Sequence, residues 1–313
     1  MSDAHGSSAD RDREKREEAR GEDRVEALLP HLVDAIPLRA GSVIVTLYGD
    51  VVEPRGGQLW MGSIIETCGA LGLSETLVRT AVSRLVAAGQ LAGERQGRRS
   101  FYRLTEAARR EFLAAARTLF EPQPDAGWRF VWLGAEEAGE TSPALDRDGF
   151  VRLAPHWWLG PARDRPADPA HVTFEAGTTA PLPMLQRLVA AHWDLAAVAA
   201  GYDAVLAAFG GVTDALDAGL RLADAEALQL RLLLVHAYRQ VALRDPRLPA
   251  GTLPETWSGH RARRLFADLY LRLSPAADRH VGRHFLSGSD ALPPETPDTL
   301  GRLASLARIR DGA

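Results

Sequence analysis

Four arginines crowd one short stretch. Arg95, Arg98, Arg99 and Arg103 lie in "RQGRRSFYR", and no acid occurs between Gln96 and Thr105. Unbalanced guanidiniums at this density suit a row of anions, and a nucleic-acid backbone is such a row. Gly97 permits a tight turn, so Arg98 and Arg99 fall at the tip of a hairpin. Just upstream, "SETLVRTAVSRLVAAG" puts Val78, Ala81, Val82, Leu85 and Val86 on one helical stripe. That leaves Glu75, Thr76, Arg79, Thr80, Ser83 and Arg84 facing outward. Arginines, hydroxyls and short side chains are the types that touch phosphates and base edges. Arg79 is placed for a bidentate contact to guanine, and Thr76, Thr80 and Ser83 for a phosphate or a base. Glu75 opens the helix and complements its dipole. A solvated amphipathic helix would show the same outward set. The arginine cluster beside it tips the reading toward DNA.

The elements that must position these groups follow in order. Val25–Ile36 reads as a short helix, and "GSVIVTLYGDVV" as a second that Pro54, Gly56 and Gly57 break. After the break "EPRGGQLW" comes a short strand, then "MGSIIETC" as a helix and "GALGLS" as a turn. The outward-facing helix follows, with Ser74 as N-cap and Gly89 as its stop. "QLAGERQGRRSFYRLT" is a two-stranded hairpin with Tyr102 and Leu104 turned inward, and "EAARREFLAAARTLF" an amphipathic helix. This order is that of a winged helix-turn-helix. Its second helix enters a major groove about 12 Å wide, and its hairpin reaches the adjacent backbone.

The fold class expected is mainly α with small β parts. Residues 1–24 form a disordered charged tail, and residues 25–121 the winged-helix domain. The Pro/Gly stretch "EPQPDAG" separates this from a short β-rich middle domain at 127–178, in which 135–148 reads as a polar loop. A helical C-terminal domain spans 182–286, and 287–313 reads as a loosely attached tail. With 313 residues and 46% apolar composition, the chain can bury several cores. Its formal net charge of -4 excludes a bulk polycation, so any DNA contact is a local patch. No apolar run approaches the roughly 18 residues of a membrane span, and the N-terminus lacks the apolar core of a signal peptide. A single cysteine, Cys68, fits a reducing cytoplasm and reads as core packing.

Three segments carry a family resemblance: "SVIVTLYGDVVEPRGGQLWMGSIIE", "GLSETLVRTAVSRLVAAGQL" and "GRRSFYRLTEAARREF". With "LLLVHAYRQVALRDPRLPAGTLPETWSGHRARRLFADLY" they closely resemble the PaaX family of bacterial repressors of phenylacetate catabolism. The resemblance covers most of residues 39–285. It implies a winged-helix domain, a ferredoxin-like middle domain and a helical effector domain. It also implies a homodimer on double-stranded operator DNA, released by phenylacetyl-CoA or a related acyl-CoA. The middle segment departs from the pattern, because "AEEAGETSPALDRD" leaves little room for the helix expected there; a truncated unit would result.

An aryl-CoA site needs an apolar cavity with a few polar groups and arginines at its mouth. The candidates are Trp193, Tyr202, His236, Tyr238, Arg239, Trp257, Arg261 and Arg264. The same residues also read as core aromatics, a hydrogen-bonded core histidine and a dimer face. A helical module without any small-molecule ligand, serving protein interaction or dimerisation, is the alternative. There is no GxSxG, no HExxH and no phosphate-cradling glycine loop, so no enzyme or cofactor is expected. His280 and His284 share a helix face but lack a convincing third ligand, so no metal is expected either. His156 reads as structural.

Overall fold

The structure, a computed structural model, describes residues 28–123, 127–134, 137–162, 171–177 and 180–312; the charged segment 1–24 lies outside them. Helix α1 (Leu28–Ala35) is followed by α2 (Ala40–Leu47). α2 does not stop at Leu47. It widens into a π turn at Tyr48–Val52 and tightens into a 3-10 turn at Glu53–Arg55. Gly56 and Gly57, at φ 101° and 79°, then reverse the chain in a region that only glycine enters without strain. Strand β1 (Gln58–Trp60) and helices α3 (Met61–Ala70) and α4 (Glu75–Ala87) come next. The hairpin β2 (Leu91–Gln96) and β3 (Arg99–Leu104) leads into α5 (Glu106–Phe120), which Thr105 caps by accepting from the Ala108 N–H. β3 pairs with both β1 and β2, completing a three-stranded winged unit.

The wing differs from the sequence expectation in one phase. Phe101 and Leu104 are the buried side chains of β3, whereas Tyr102 is half-buried. On α4, Val78, Ala81 and Val82 are buried as the stripe predicts, but Val86 is 39% exposed. Cys68 lies in the core, and burial pushes its thiol up to about 12.

The middle domain holds β4 (Trp128–Trp132), α6 (Glu137–Arg147), β5 (Val151–Ala154), β6 (Trp157–Pro161) and β7 (Val172–Ala176). The antiparallel sheet order β5-β6-β4-β7 is that of a ferredoxin-like unit. The expected polar loop at 135–148 is therefore a helix over most of its length, in spite of Pro143. Its Leu145 covers a small core of Val131, Leu133, Phe150 and Trp158. Burial of that sheet face outweighs the poor helical composition. The opposite face is open: Phe130 meets Trp157 edge-on and Phe174 lies tilted against Trp157 there, and Phe174 is 51% exposed.

The C-terminal half comprises α7 (Leu182–His192), α8 (Leu195–Asp217), α9 (Asp224–Ala242), α10 (Ser258–His284), the hairpin β8 (Leu286–Ser287) and β9 (Asp290–Ala291), and α11 (Pro297–Asp311). α8 is long and apolar enough to cross a membrane, contrary to the sequence reading, yet Tyr202, Val205, Phe209 and Val212 bury one side of it on α9 and α10. Residues 287–312 are not the loosely attached tail expected for 287–313. Thr296 caps α11 and also donates to the Pro54 carbonyl at 2.6 Å, while α11 packs along α10. β8 lies beside β1, and Ser63 bonds to both the His284 carbonyl and the Leu286 N–H at 3.4 Å.

A buried ionic hub joins the two ends of the chain. Asp50, delivered by the π turn, accepts from Arg231 Nε at 3.0 Å and from the Tyr270 hydroxyl at 2.8 Å. Asp278 of α10 accepts from Arg231 Nη1 and Arg55 Nη2, each at 2.6 Å. Arg302 of α11 donates to the Asp50 and Gly49 carbonyls and lies 3.8 Å from the Phe120 ring centre. Burial alone would depress the Arg231 guanidinium. Asp50, Tyr270 and Asp278 outweigh it and hold the pKa above the ordinary arginine value. Breaking a buried pair strands the remaining charges away from water. Asp278→Asn should therefore cost about 3–5 kcal/mol of stability. Urea unfolding measures this directly; a loss below about 1 kcal/mol, typical of exposed pairs, would show that the hub is effectively solvated.

Candidate nucleic-acid interface and effector region

Helix and wing converge on one groove. Arg79, Ser83, Arg95, Ser100 and Tyr102, with the Glu94 carboxylate, line an open cleft of about 390 Å³ between α4 and the β2–β3 hairpin. Gly93 makes the wing fit, because a Cβ there would lie 2.9 Å from the Tyr102 ring. At the tip, Gly97 adopts φ 62° and Arg98 a negative φ, the pattern of a type II′ hairpin turn. The tip residues have different environments. Arg98 is exposed. Arg95 donates to the Gly97 carbonyl at 3.2 Å. Arg99 lies over the Trp60 ring at 5.2 Å, a cation–π contact that holds it along the flank of the wing.

All six outward positions of α4 are exposed: Glu75, Thr76, Arg79, Thr80, Ser83 and Arg84. Ser74 caps the helix by accepting from the Leu77 N–H. Arg79 Nε pairs with Glu75 at 2.7 Å, both more than half exposed. Such an i,i+4 pair is worth only about 0.3–0.5 kcal/mol, so a base edge can displace it. Thr80 donates to the Thr76 carbonyl at 2.8 Å and keeps its lone pairs outward. Leu77, 56% exposed on the first turn, escaped the sequence reading. Its signal is an apolar residue outside the stripe, and an exposed apolar group on such a helix suits a thymine methyl.

The proposed effector residues do not form one site. Tyr202, Tyr238 and Trp257 do meet, with ring centres 6.1 Å apart from Tyr202 to each. Tyr202 donates to Asp245 at 2.8 Å, and Tyr238 stacks on Phe266 at 4.2 Å. The space among them is about 40 Å³, room for a water rather than a phenyl ring. Arg263 lines this space and donates to the Glu121 carbonyl; Arg261 and Arg264 are exposed on other faces of α10. Trp193 is elsewhere, packed on Trp128 and donating to the Gly149 carbonyl at 2.9 Å.

His236 and Arg239 face α2 instead. Thr46 Oγ1 donates to the Ser42 carbonyl at 3.1 Å and lies 2.9 Å from His236 Nδ1, and Arg239 Nε donates to it at 2.8 Å. His236 Nε2 lies 2.9 Å from the Gln240 amide nitrogen and 3.3 Å from the Pro37 carbonyl, so both ring nitrogens are engaged. Burial, reinforced by Arg239, pushes His236 down to about 4, so it is neutral at pH 7. These residues stitch α9 to the winged domain. Beside them, α2, α5 and α9 enclose a cleft of about 270 Å³.

His280 and His284 stack with ring centres 4.5 Å apart. Among the described residues, no third metal-binding side chain joins them. His156 bonds to the Leu133 carbonyl at 2.9 Å, tying the turn between β5 and β6 to the end of β4.

Comparison with known proteins bears on the assembled site. The sequence model described as "PaaX-like protein" matches residues 39–108, and that described as "PaaX-like protein C-terminal domain" matches residues 193–283. The transcriptional repressor PaaX of Escherichia coli (strain K12) is 34% identical over 275 residues, which cover 81% of this chain and 86% of that protein. The solved structure of the uncharacterized protein Rv0674 from Mycobacterium tuberculosis aligns with a TM-score of 0.49 and 19% identity, over 78% of this chain and 99% of that one.

The groove geometry yields two expected outcomes. Arg79→Ala should weaken binding to a selected DNA site by about 1–3 kcal/mol and relax preference at one base pair. Equal loss on random DNA, measured by competition gel shift, would reduce Arg79 to a phosphate contact. Arg98→Ala should weaken all sequences alike and lower the salt slope by about one, since one fewer counterion is released. An unchanged slope would place the wing tip away from the backbone.

Proposed function

The chain belongs to the PaaX family of transcriptional repressors, and from this we propose that it represses phenylacetate (aromatic acid) catabolism genes and is released by phenylacetyl-CoA or a related acyl-CoA. In this reading it acts in the cytoplasm as a homodimer on double-stranded operator DNA. Thr76, Arg79, Thr80, Ser83 and Arg84 face the major groove. Arg95, Arg98 and Arg99 face the flanking phosphates. The observation that carries the DNA part is the single groove onto which α4 and the wing both present guanidiniums and hydroxyls. The open aromatic face on β4, β6 and β7 supports self-association, because a monomer seldom leaves several large aromatics side by side in water. Two copies would then read half-sites about one helical turn, or a multiple, apart.

Release requires that the effector bind the DNA-free arrangement more tightly than the DNA-bound one. The hub and the Thr46–His236–Arg239 cluster favour such coupling, since both join the winged domain, at α2 and the π turn after it, to the C-terminal helices. A second reading rests on the closed space among Tyr202, Tyr238 and Trp257: the helical half is an interaction module with no thioester ligand. Titration calorimetry with a panel of CoA thioesters separates the two. Footprinting on operator DNA selected from a random pool completes the test. Saturating phenylacetyl-CoA should erase the footprint, and a footprint that persists would overturn the inducer assignment.

A further inference from the structure

We propose that the cleft between α2, α5 and α9 receives the aromatic acyl head of the thioester effector. This rests on the inducer reading above and adds its location. Size separates the two spaces that the expected effector residues line. The gap among Tyr202, Tyr238 and Trp257 offers about 40 Å³, whereas the interdomain cleft offers about 270 Å³. A cavity of about 150 Å³ admits benzene, and small-molecule pockets start near 300 Å³. The cleft therefore holds a phenyl ring with its acyl carbon and leaves the pantetheine arm and phosphates outside.

Its lining suits that head. Val45, Phe112, Ala116, Phe120 and Val235 supply apolar walls, and Ala116 leaves room where a larger side chain would fill it. The polar groups beside these walls include Thr46, Asp50, Gln90 and Arg239. Arg239 spends Nε on Thr46 and Nη2 on Ser42, while its Nη1 has no hydrogen-bond partner among the described residues. A half-buried guanidinium with a spare N–H beside an apolar slot is a donor for a thioester carbonyl. Glu111, exposed at the rim, repels phosphate there and directs the CoA arm away from α5.

The position also explains how occupancy reaches the DNA-reading surface. The cleft is walled by the winged domain on α2 and α5 and by the effector domain on α9. Phe120 meets Tyr270 edge-on at 5.4 Å and lies under Arg302, and Tyr270 donates to Asp50. A ring wedged between α5 and α9 thus presses on the groups that hold the hub. α5 begins two residues after the end of β3, so its displacement is delivered to the wing.

Ala116→Cys gives a test that is independent of the natural ligand. Cys68 is the native protein's one cysteine, fully buried with its thiol pKa raised, and stays silent. Benzyl methanethiosulfonate converts the introduced thiolate to a benzyl disulfide and expels methanesulfinate. The unlabelled variant's own operator affinity is the reference for every labelled measurement. Labelling should lower that affinity by about tenfold or more, within the usual range of allosteric coupling, and dithiothreitol should restore it. Phenylacetyl-CoA should slow labelling by about tenfold, and CoA alone should not. Unchanged operator affinity after complete labelling, or labelling unaffected by a phenylacetyl-CoA concentration that releases DNA from the native protein, overturns the assignment. If the native protein binds no phenylacetyl-CoA, the inducer reading falls separately and the tethered benzyl group still decides the cleft. Ala115→Cys repeats the measurement one residue along should Ala116→Cys not fold.

Discussion

Two buried carboxylates shared among three guanidiniums determine how the DNA-reading helices sit on the rest of the chain. Asp50 and Asp278 are nearly inaccessible to water, as are Arg55 and Arg231. Removing such charges from water costs several kcal/mol per ion, and only close, well-directed partners offset it. A sliding or rotated docking would leave at least one ion unpaired. The hub therefore contributes less to net stability than to the uniqueness of one arrangement between α2, α9, α10 and α11. The π turn serves this end. An ordinary α-helical turn through Tyr48–Val52 would rotate Asp50 off the seam, whereas the widened turn delivers Asp50 and Arg55 to the same side.

The seam also redistributes the residues that look like ligand binders. His236 and Arg239 resemble pocket groups because they interrupt an apolar helix. They are polar because α2 presents Thr46 and Ser42 opposite them, and a buried hydroxyl or carbonyl requires a partner. Tyr202, Tyr238 and Trp257 pack on one another and on Phe266, leaving only a water-sized gap. The larger space opens where two domains meet imperfectly. A void of that kind can be widened or closed by rigid shifts of whole helices, which a tight core resists.

The reading face obeys the opposite physics. Its groups are exposed, loosely paired and cheap to redirect. The Arg79–Glu75 pair and the Arg99–Trp60 contact hold guanidiniums near their working positions at small energetic cost. Rigid placement comes from beneath, through Val78, Ala81 and Val82 on α4 and Phe101 and Leu104 on the wing.

Local periodicity made much of this legible. The stripe of α4, its Ser74 cap and the glycine at the wing tip all act over a few residues, so the sequence alone determined the winged unit and the outward positions from Thr76 to Arg84. The helix Glu137–Arg147 was hidden because its own composition is poor and the sheet it covers supplies the stability. The C-terminal helix was hidden behind a proline-rich lead, although Thr296 followed by Pro297 is a start signal. Asp50 and Arg231 escaped the sequence reading, because their 181 residues of separation close only when three helices and a π turn pack together. Which arginines stay exposed, which ones hold the hub and where a cleft opens were decided by tertiary structure, since burial and ion pairing depend on neighbours that chain order does not specify.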